Sequence, residues 1–534
     1  MVWMSAQFRR APRASSTRTA SPRSSAELSS CPSTGVCAWL GQRIHLEIPE
    51  PLFRRLVSAL LGLIGLLLLM RNLDWSLNTG AQDYPVVAIF EPDDGEKHAV
   101  IGFAGLVGAA VARVAYQQAL EPRQEPVTRA VLVVGGGAAG MAAAVGSAAA
   151  GARTLLVEHG PRLGGVLDQC IHPGFGLHRY REELTGPEFA HRLEGELRGV
   201  EVWTGWTLLA LDPTRPRARG VGEGGLGEVR AQAVVWAAGA RERPWGALRI
   251  PGTRPAGIFV AGLAQRLVNI HGLLPGKRAL VLGSGDIGLI MARRLHLEGM
   301  EVVAVAELRP FPGGLLRNVV QCLDDFGIPL WLETTVVEVH GRTRLEGVTV
   351  AGVDETGRPR PQTARFVPLD TLVLSVGLIP EVEGVPFAPR NPTTGGLAVS
   401  ARLQTAVPWL FGAGNCLAPF DLVDTVAALG EQAGVAAARY ARGELPPRRA
   451  TPVRAGRGVA TLVPSSVVPG APATLYLRAS LPLPAARVEV GPGIVRRTVR
   501  GVRPAEMLTL ALSAEETQAV AGLDEVLAEV IPLR

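Results

Sequence analysis

The chain has 534 residues, of which 47% are hydrophobic and 19% are charged, so its apolar content suffices for about two to four globular domains. The formal net charge of +6 is modest for this length, and it predicts no nucleic-acid-binding surface. The five cysteines show no spacing typical of a disulfide framework or a zinc site. We therefore expect a reducing compartment, the cytoplasm, and no bound metal.

The first part of the chain differs in composition from the rest. Residues 1–48 are rich in Ser, Arg, Pro and Ala, and we predict a disordered tail there. Residues 49–75 contain the apolar run 56–70 between arginines, which predicts a hydrophobic helix. With its flanks, at 52–73, this helix is a candidate membrane anchor, although the run rises only roughly 22 Å against a bilayer core of ~30 Å. A buried helix and a start site assigned too far upstream are the alternatives, and residues 76–127 are predicted to be a linker.

Two glycine-rich turns in the chain share one layout. The first turn, 135–140, follows the apolar strand Val131–Val134, and Glu158 closes the next apolar strand. The second turn, 283–288, also follows an apolar strand, and Glu307 closes the strand after it. A strand, a G-x-G-x-x-G turn, a helix and an acid about 20 residues later form the fingerprint of a dinucleotide-binding unit. Two copies predict two nucleotides in one protein, with electron transfer between them; ordinary β–α turns of a parallel sheet are the alternative.

Each residue of the fingerprint has its own expected role. The first glycine allows the tight turn, the second leaves room for a pyrophosphate beside the backbone, and the third lets the helix pack close to the strand. The helix N-terminus offers unpaired N–H groups and the positive end of its dipole to the phosphates. The acid accepts a hydrogen bond from the adenosine ribose. In chain order these residues are Gly135, Gly137, Gly140 and Glu158 in the first copy, and Gly283, Gly285, Gly288 and Glu307 in the second.

Residues 129–445 resemble the FAD- and NAD-dependent oxidoreductases of the pyridine nucleotide-disulfide oxidoreductase superfamily. Within it they are similar to the single-cysteine branch of sarcosine and opine oxidase α subunits and hydrogen cyanide synthase. The resemblance is carried by the segments Cys170–His178, Gly283–Arg294, Phe311–Leu315, Gln321–Pro329 and Asp421–Asp424. It implies an α/β fold with two Rossmann-like three-layer dinucleotide-binding domains, FAD at the first glycine turn and NAD(H) at the second. NAD(H) is expected over NADP(H) because Glu307 would repel a 2′-phosphate, although Arg309 could turn toward one.

The resemblance also implies where other residues meet FAD. Gly239 and Gly377 lie in the two connections between the nucleotide domains. Gly414 and Asn415 follow a strand and lie at the ribityl chain and pyrophosphate. The family usually has an acid at the second of these positions, so Asn415 makes one ribityl contact neutral. A helix that starts near Asp424 points its N-terminus at the flavin, where a positive dipole favours negative charge.

Cys170 and His172 are the candidate catalytic residues. The resemblance places them near the flavin ring, after a turn at Gly165 that carries the chain round the FAD pyrophosphate. Cys170 has no partner at C-x-x-C or C-x-x-x-x-C spacing, so we predict no dithiol mechanism. A packed thiol and a single thiol that cycles through a sulfenate or mixed disulfide are the alternatives. His172 is either a proton donor to substrate or reduced flavin, or it makes a structural hydrogen bond.

The predicted domains follow from these motifs. The FAD-binding domain comprises residues 128–245 and 370–445, with the NAD-binding domain, 246–369, inserted between them. Residues 450–534 alternate in period two between Pro and Gly turns, which predicts a small C-terminal antiparallel β module. We expect this module to dock a partner subunit or the chain's own twofold mate.

The expected reaction is hydride transfer between NAD(H) and the flavin. Electrons then pass to or from a small-molecule substrate or acceptor, or a partner flavoprotein dehydrogenase, as the resemblance implies. We expect a homo- or hetero-oligomer. Two alternatives stay open, a single-cysteine disulfide or coenzyme-A disulfide reductase, and a non-catalytic flavin electron-transfer subunit whose second turn is vestigial.

Overall fold

The computed structural model describes residues 126–446, 449–491 and 493–533. The predicted tail, the predicted hydrophobic helix and all but the end of the predicted linker lie outside the described residues. Within the described ranges, no helix has both the length and the apolar character needed to cross a membrane.

The first glycine turn belongs to a five-stranded parallel sheet, which we call the first sheet. In spatial order its strands are Leu410–Gly412, Ala233–Trp236, Val131–Val134, Thr154–Val157 and Glu201–Trp203. The three central strands are buried along their whole length, as expected where helices or loops cover both faces of a parallel sheet. The helices Ala138–Ala149 and Val423–Ala441 pack on this sheet and on each other, and the helix Gly186–Gly195 packs against the first of them.

Small residues let the helices Ala138–Ala149 and Val423–Ala441 approach closely. A Cβ added at Gly430 would collide with the backbone of Ala139, and one added at Gly434 would collide with Ala143. Each helix follows a strand of the first sheet in the chain, so both helix N-termini lie at the carboxyl edge of that sheet. Ligands of open α/β sheets bind at this edge.

Other strands pair outside the first sheet, and two of them link it to the rest of the fold. Val127, which the sequence places in the linker, pairs in parallel with Val229. We call the part of the chain built on the first sheet the first unit, and the part built on the second parallel sheet, described below, the second unit. The strands Ala240–Glu242 and Leu378–Pro380 pair antiparallel and form the double connection between these units. The remaining pairs are a sheet of Val127–Thr128, Gly225–Arg230, Arg217–Gly222 and Thr207–Leu211, and a two-stranded pair of Pro173–Phe175 with Leu184–Thr185.

The second glycine turn belongs to another five-stranded parallel sheet, the second sheet. Its strands are Ile258–Val260, Thr371–Leu374, Arg278–Leu282, Glu301–Ala306 and Leu330–Trp331. Its helices are Ala261–Asn269, Asp286–Leu297 and Leu316–Cys322, and an antiparallel sheet of Thr334–Gly341, Leu345–Gly352 and Arg365–Pro368 follows. Short 3₁₀ helices occur at Gly165–Gln169, Trp245–Ala247, Asp324–Phe326, Pro361–Thr363 and Gly414–Cys416.

The structure corrects the predicted boundary at residue 370. The strand Thr371–Leu374 pairs with strands on either side in the second sheet, so it belongs to the second unit. The chain returns to the first unit only after this strand, through Leu378–Pro380. A short apolar strand has the same sequence pattern in either parallel sheet. The sequence therefore does not indicate to which of the two sheets this strand belongs.

Residues 451–533 form a β module with its own hydrophobic core. One sheet contains Ser466–Val467, Thr451–Ala455, Val526–Pro532, Leu483–Val490 and Val495–Val502, and the other contains Val459–Val463, Ala473–Ala479 and Leu508–Leu512. The helix Ala514–Gln518 starts in a capping box formed by Ser513 and Glu516. The predicted fold class, two Rossmann-like units and a small antiparallel module, is confirmed. One detail differs, since one strand pair of the module is parallel.

Candidate functional site

The two glycine turns have the same backbone geometry. Gly135 has φ of 106° and Gly283 has φ of 97°, values that residues with a side chain rarely adopt. Each of these glycines also lies against the backbone of a neighbouring strand end, at Ala237 and Ser375 respectively. The third glycines, Gly140 and Gly288, lie against the carbonyl oxygens of the first ones. The turns are therefore closed tightly, and their helices begin immediately beside the strands.

The middle glycines leave room for a ligand. A Cβ added at Gly137 would meet no protein atom within 4 Å, and one added at Gly285 would meet only the Ser375 hydroxyl, at 3.9 Å. Both glycines occupy the N-cap position of a helix, and neither helix has a side-chain cap. The first N–H groups of both helices therefore face a position where a phosphate can accept their hydrogen bonds. This space fits the pyrophosphate of a dinucleotide at each turn.

The two acids are buried beside the turns. Glu158 accepts hydrogen bonds from the N–H groups of Gly136 and Gly160, each at 2.6 Å. Glu307 accepts from the N–H of Ser284 at 3.0 Å and from its hydroxyl at 2.5 Å. Each carboxylate thus supports its own turn as well as lying where a ribose hydroxyl is expected. Each carboxylate has a third polar contact as well, so of its about four lone-pair sites about one is left to accept a hydrogen bond from a ribose.

A Gly-Gly pair follows each acid and folds back onto the glycine turn. Gly164 and Gly313 both lie six residues after their acids in the sequence. The N–H of Gly164 donates to the carbonyl of Gly136 at 3.0 Å, and the N–H of Gly313 donates to the hydroxyl of Ser284 at 2.8 Å. The next residue in the first unit, Gly165, lies close to Gly137, because an added Cβ would be 3.2 Å from its Cα. The internal repeat is therefore longer than the fingerprint alone.

The remaining predicted glycines lie in two kinds of surroundings. Cβ atoms added at Gly239 and Gly377 would meet nothing within 4 Å, so the two connections between the units are open at these points. Gly414 is buried and lies against Ala139 at the start of the first helix. The side-chain oxygen of Asn415 accepts a hydrogen bond from the N–H of Phe420 at 3.1 Å. Asn415 therefore closes its own loop, and contact with FAD at this residue stays a prediction.

Asp424 holds a loop of the first unit. The helix Val423–Ala441 begins beside it, and the carboxylate is buried. It accepts hydrogen bonds from the N–H groups of Gly176 at 3.2 Å, His178 at 3.1 Å and Arg179 at 2.8 Å. The sequence marks Asp424 only as part of the family resemblance. Its partners lie about 250 residues away, and no local pattern indicates them.

The surroundings of the Cys170 thiol disfavour its ionisation. It is half-buried, lies 3.3 Å from the carbonyl of Val166 and 4.0 Å from the side-chain oxygen of Gln265. Burial raises its pKa to about 11, which disfavours the nucleophilic thiolate at neutral pH. Within the described residues Cys170, Cys322 and Cys416 are all free. These surroundings fit a packed thiol and count against a nucleophilic one.

His172 lies in the same segment but does not bond to Cys170 within the described residues. Its Nδ1 is 3.0 Å from the carbonyl of Pro173, and its ring centre is 5.0 Å from that of Phe175. The side chain is half-buried. These contacts supply the structural hydrogen bond that the sequence left open, and a role as proton donor stays a prediction.

Polar side chains that the sequence did not single out join the two units next to Cys170. The Gln169 amide donates to the carbonyl of Gly262 at 3.2 Å and to the side-chain oxygen of Gln265 at 3.0 Å. Asn269 donates back to the carbonyl of Gln169 at 2.8 Å. Glu242, in the connection, accepts from the N–H of Gly262 at 2.7 Å, and burial raises the pKa of this carboxyl. The helix Ala261–Asn269 is thereby fixed against the loop that carries Cys170.

Two nucleotide-type turns, joined by a double connection, define a two-dinucleotide oxidoreductase fold. The family described as pyridine nucleotide-disulphide oxidoreductase matches residues 129–444, which is more than half of the chain. The chain therefore belongs to this family, and the predicted resemblance is confirmed. It is an oxidoreductase of a flavoprotein family, which implies FAD and a pyridine nucleotide. Within the described residues no cluster of side chains is suited to hold a metal ion.

Several curated proteins are similar to part of the chain. An opine oxidase subunit of Agrobacterium tumefaciens (strain Ach5) is 29% identical over 275 residues, which cover 47% of this chain and 52% of that protein. Hydrogen cyanide synthase subunit HcnB of Pseudomonas aeruginosa is 29% identical over 282 residues, covering 47% of this chain and 57% of that protein. The chain thus spans about half the length of these relatives. Among solved structures, T. acidophilum thioredoxin reductase covers 59% of this chain and 99% of its own, with a TM-score of 0.49 and 20% identity.

Proposed function

We propose that the chain binds FAD at the first glycine turn, 135–140, and NAD(H) at the second, 283–288, and transfers reducing equivalents between them. The observation that carries this proposal is the repeated geometry of the turns. In each, the middle glycine borders open space and the helix N-terminus has no side-chain cap. Membership in the family supports the two kinds of cofactor.

The residues at the turns bind and orient the cofactors. When both are bound, they supply hydride transfer between the nicotinamide and the flavin N5. The helix N–H groups hold the pyrophosphates, while Glu158 and Glu307 orient the riboses. The Gln169–Gln265 contact fixes the helix of the second unit against the flavin-side loop. The chain therefore contributes positioning, which alone supplies a large part of the rate of such a transfer.

NADH is the proposed nucleotide in preference to NADPH. Glu307 is 8% exposed and lies against Ser284 in the second turn. A buried carboxylate at this place disfavours a second negative charge on the ribose. Arg309 donates its backbone N–H to Glu307 at 2.9 Å, and its guanidinium lies over the ring of Phe311, 5.8 Å from the ring centre. To reach a 2′-phosphate, the guanidinium would have to leave this contact. The preference for NADH therefore rests on Glu307.

Electrons are proposed to leave the flavin for an acceptor outside the chain. The raised pKa of Cys170 and the absence of a disulfide among the described residues give the flavin no thiol partner in this part of the chain. The single-cysteine reductase is therefore not favoured. Two relatives are by name subunits of an opine oxidase and of a hydrogen cyanide synthase. They support an acceptor that is a partner flavoprotein dehydrogenase or a small molecule, in a homo- or hetero-oligomer.

Anaerobic reduction tests this proposal. Purified protein is freed of oxygen and mixed with NADH equal in amount to its flavin. We expect the visible absorption band of the oxidised flavin to disappear, and NADPH to bleach it more slowly. The proposal fails if the protein is colourless and takes up no added FAD. A bound flavin that NADH does not reduce would instead identify an electron-transfer subunit with a vestigial second turn.

A further inference from the structure

The C-terminal β module, residues 451–533, packs against the first unit along an interface, which we call the seam. The backbone N–H of Ala401 donates to the carbonyl of Ser466 at 2.8 Å. The buried Asn391 amide donates to the carbonyl of Leu462 at 2.7 Å. The family match ends at residue 444, so it assigns no role to this module. The seam shows that one side of the module packs against its own chain.

Arg478 lies on this seam and binds acceptors on both sides of it. Its side chain is only 19% exposed. Within the module, its guanidinium donates to the carbonyls of Pro504 and Ala505. Across the seam, it donates to the carbonyl of Pro419 and to the carboxylate of Asp421. The planar fork of an arginine can serve several acceptors in fixed directions, which a lysine ammonium does not reproduce.

Asp421 receives a second bond from the module. Its other carboxylate oxygen accepts from the backbone N–H of Met507 at 2.7 Å. Next to it, the rings of Phe420 and Tyr476 meet edge to face, with centres 5.5 Å apart. Residues 419–421 are thus held by the module through an ion pair, a backbone hydrogen bond and an aromatic contact.

The held segment leads directly into the candidate flavin site. The helix Val423–Ala441 begins two residues after Asp421, and Asp424 in its first turn holds the N–H groups of loop 176–179. That loop continues the segment that carries Cys170 and His172. An unbroken series of contacts therefore connects Arg478 with both the helix N-terminus and the loop.

We propose that Arg478 is a positioning residue for the flavin, and that the C-terminal module supports the FAD site of its own chain. By holding Asp421, Arg478 fixes residues 419–424, and with them loop 176–179, in the geometry that receives the flavin. This role rests on the proposed FAD site. It differs from the docking role expected from the sequence, because the contacts concerned lie within one chain.

Two variants and a matched control test the proposal. Arg478→Ala removes all four contacts, whereas Arg478→Lys keeps the charge but not the fork. Arg497→Ala is the control, because Arg497 pairs with Glu516 within the module and its side chain is 49% exposed. For each full-length protein, FAD affinity is measured by titrating the apoprotein. Hydrogen exchange of residues 176–179 and 419–424 and the midpoint potential of the bound flavin are also measured.

We expect Arg478→Ala to raise the Kd for FAD by about tenfold or more, because charged hydrogen bonds are among the strongest in proteins. Residues 176–179 and 419–424 should exchange faster in Arg478→Ala than in wild type. The FAD affinity and exchange rates of Arg478→Lys should lie between those of wild type and Arg478→Ala, and its flavin midpoint potential at saturating FAD should be shifted. Arg497→Ala should match wild type in all three measurements. If Arg478→Ala exchanges rapidly throughout the chain, the same comparison is made with Arg478→Lys. Arg478 variants equal to Arg497→Ala in affinity and exchange would overturn the proposal. A wild-type protein that takes up no FAD would refute the proposed function. Hydrogen exchange in the apoproteins would then show separately whether Arg478 holds residues 176–179 and 419–424 in place.

Discussion

The two glycine turns use the same backbone with different side chains. In both, the first glycine has a positive φ, the middle glycine borders open space, and a Gly-Gly pair folds back after the acid. The first turn receives this pair with the backbone carbonyl of Gly136. The second turn receives it with the hydroxyl of Ser284, and its helix adds Asp286, which accepts from Leu315 and Asn318.

This difference shows how the loops beside each site are held. Around the second turn, side chains of the turn itself hold the following loop, so this loop is held from within its own unit. Around the first turn, the holding carboxylate is Asp424, which comes from a helix far along the chain. The first site is therefore the one that depends on distant parts of the molecule, including the C-terminal module. We expect the two sites to respond differently to matched substitutions.

The largest expected effect comes from filling the open space at one turn. Gly137→Val should abolish FAD binding, because the new side chain occupies the position of the pyrophosphate. The backbone at Gly137 has φ of −78°, which valine accepts, so the apoprotein should fold. Gly285→Val is the matched control and should keep its FAD. Equal FAD content in wild type and Gly137→Val would show that the first turn is not the FAD site.

The carboxylates that hold the loops should differ in importance. Asp424→Ala leaves three N–H groups without their acceptor, and we expect a loss of about 3 kcal/mol in the free energy of unfolding together with weaker FAD binding. Asp286→Ala removes two hydrogen bonds at a half-buried site. We therefore expect a smaller loss in the free energy of unfolding, and a weakening of nucleotide binding that affects NADH and not FAD. Denaturant unfolding and ligand titration measure both. A larger loss for Asp286→Ala would reverse the comparison between the units.

The acids should set nucleotide preference only in the second unit. Glu307→Gln removes the charge that repels a 2′-phosphate, and we expect the ratio of flavin reduction rates with NADH and NADPH to fall by about tenfold. Glu158→Gln serves as the matched control, and it should change FAD affinity without altering this ratio. Rapid-mixing reduction under anaerobic conditions gives both rates. An unchanged ratio in Glu307→Gln would remove the basis for the NADH assignment.

The smallest effect is expected where the units touch, at Cys170. Cys170→Ser should leave NADH-to-flavin transfer nearly unchanged, because hydride transfer needs positioning and no thiol. Since burial raises the pKa of Cys170 to about 11, its alkylation rate should keep rising with pH beyond the value near 8.5 at which an ordinary thiol levels off. Peptide mass spectrometry follows this residue. A rate that levels off below pH 8, with disulfide reduction lost in Cys170→Ser, would establish a thiol mechanism.

The sequence predicted the elements that backbone geometry dictates. The α/β class with two Rossmann-like units is visible because glycines at 135 and 283 follow apolar strands and precede acids at a regular distance. The β module is visible because its strands alternate in period two. These signals are local, so a single sequence contains them.

The contacts that hold the first site were not predictable in this way. Asp424 bonds to residues about 250 positions earlier, Arg478 reaches Asp421 across a seam, and Gln169 meets Gln265 between units. Asp, Arg and Gln at such positions are ordinary surface residues by sequence pattern. Only the tertiary fold brings these residues together. For the same reason, the sequence assigned the strand Thr371–Leu374 to the wrong domain.

The central claim is that two sites on one chain bind different cofactors, with FAD at the first turn and the nicotinamide nucleotide at the second. Its most direct test is the anaerobic reduction of bound flavin by NADH in wild type and in Gly285→Val at equal FAD content. We predict rapid bleaching in wild type and loss of nearly all NADH-dependent reduction in the variant, while dithionite still reduces the flavin of both. Equally fast reduction by NADH in the two proteins would contradict the claim, because the nucleotide would then be bound elsewhere.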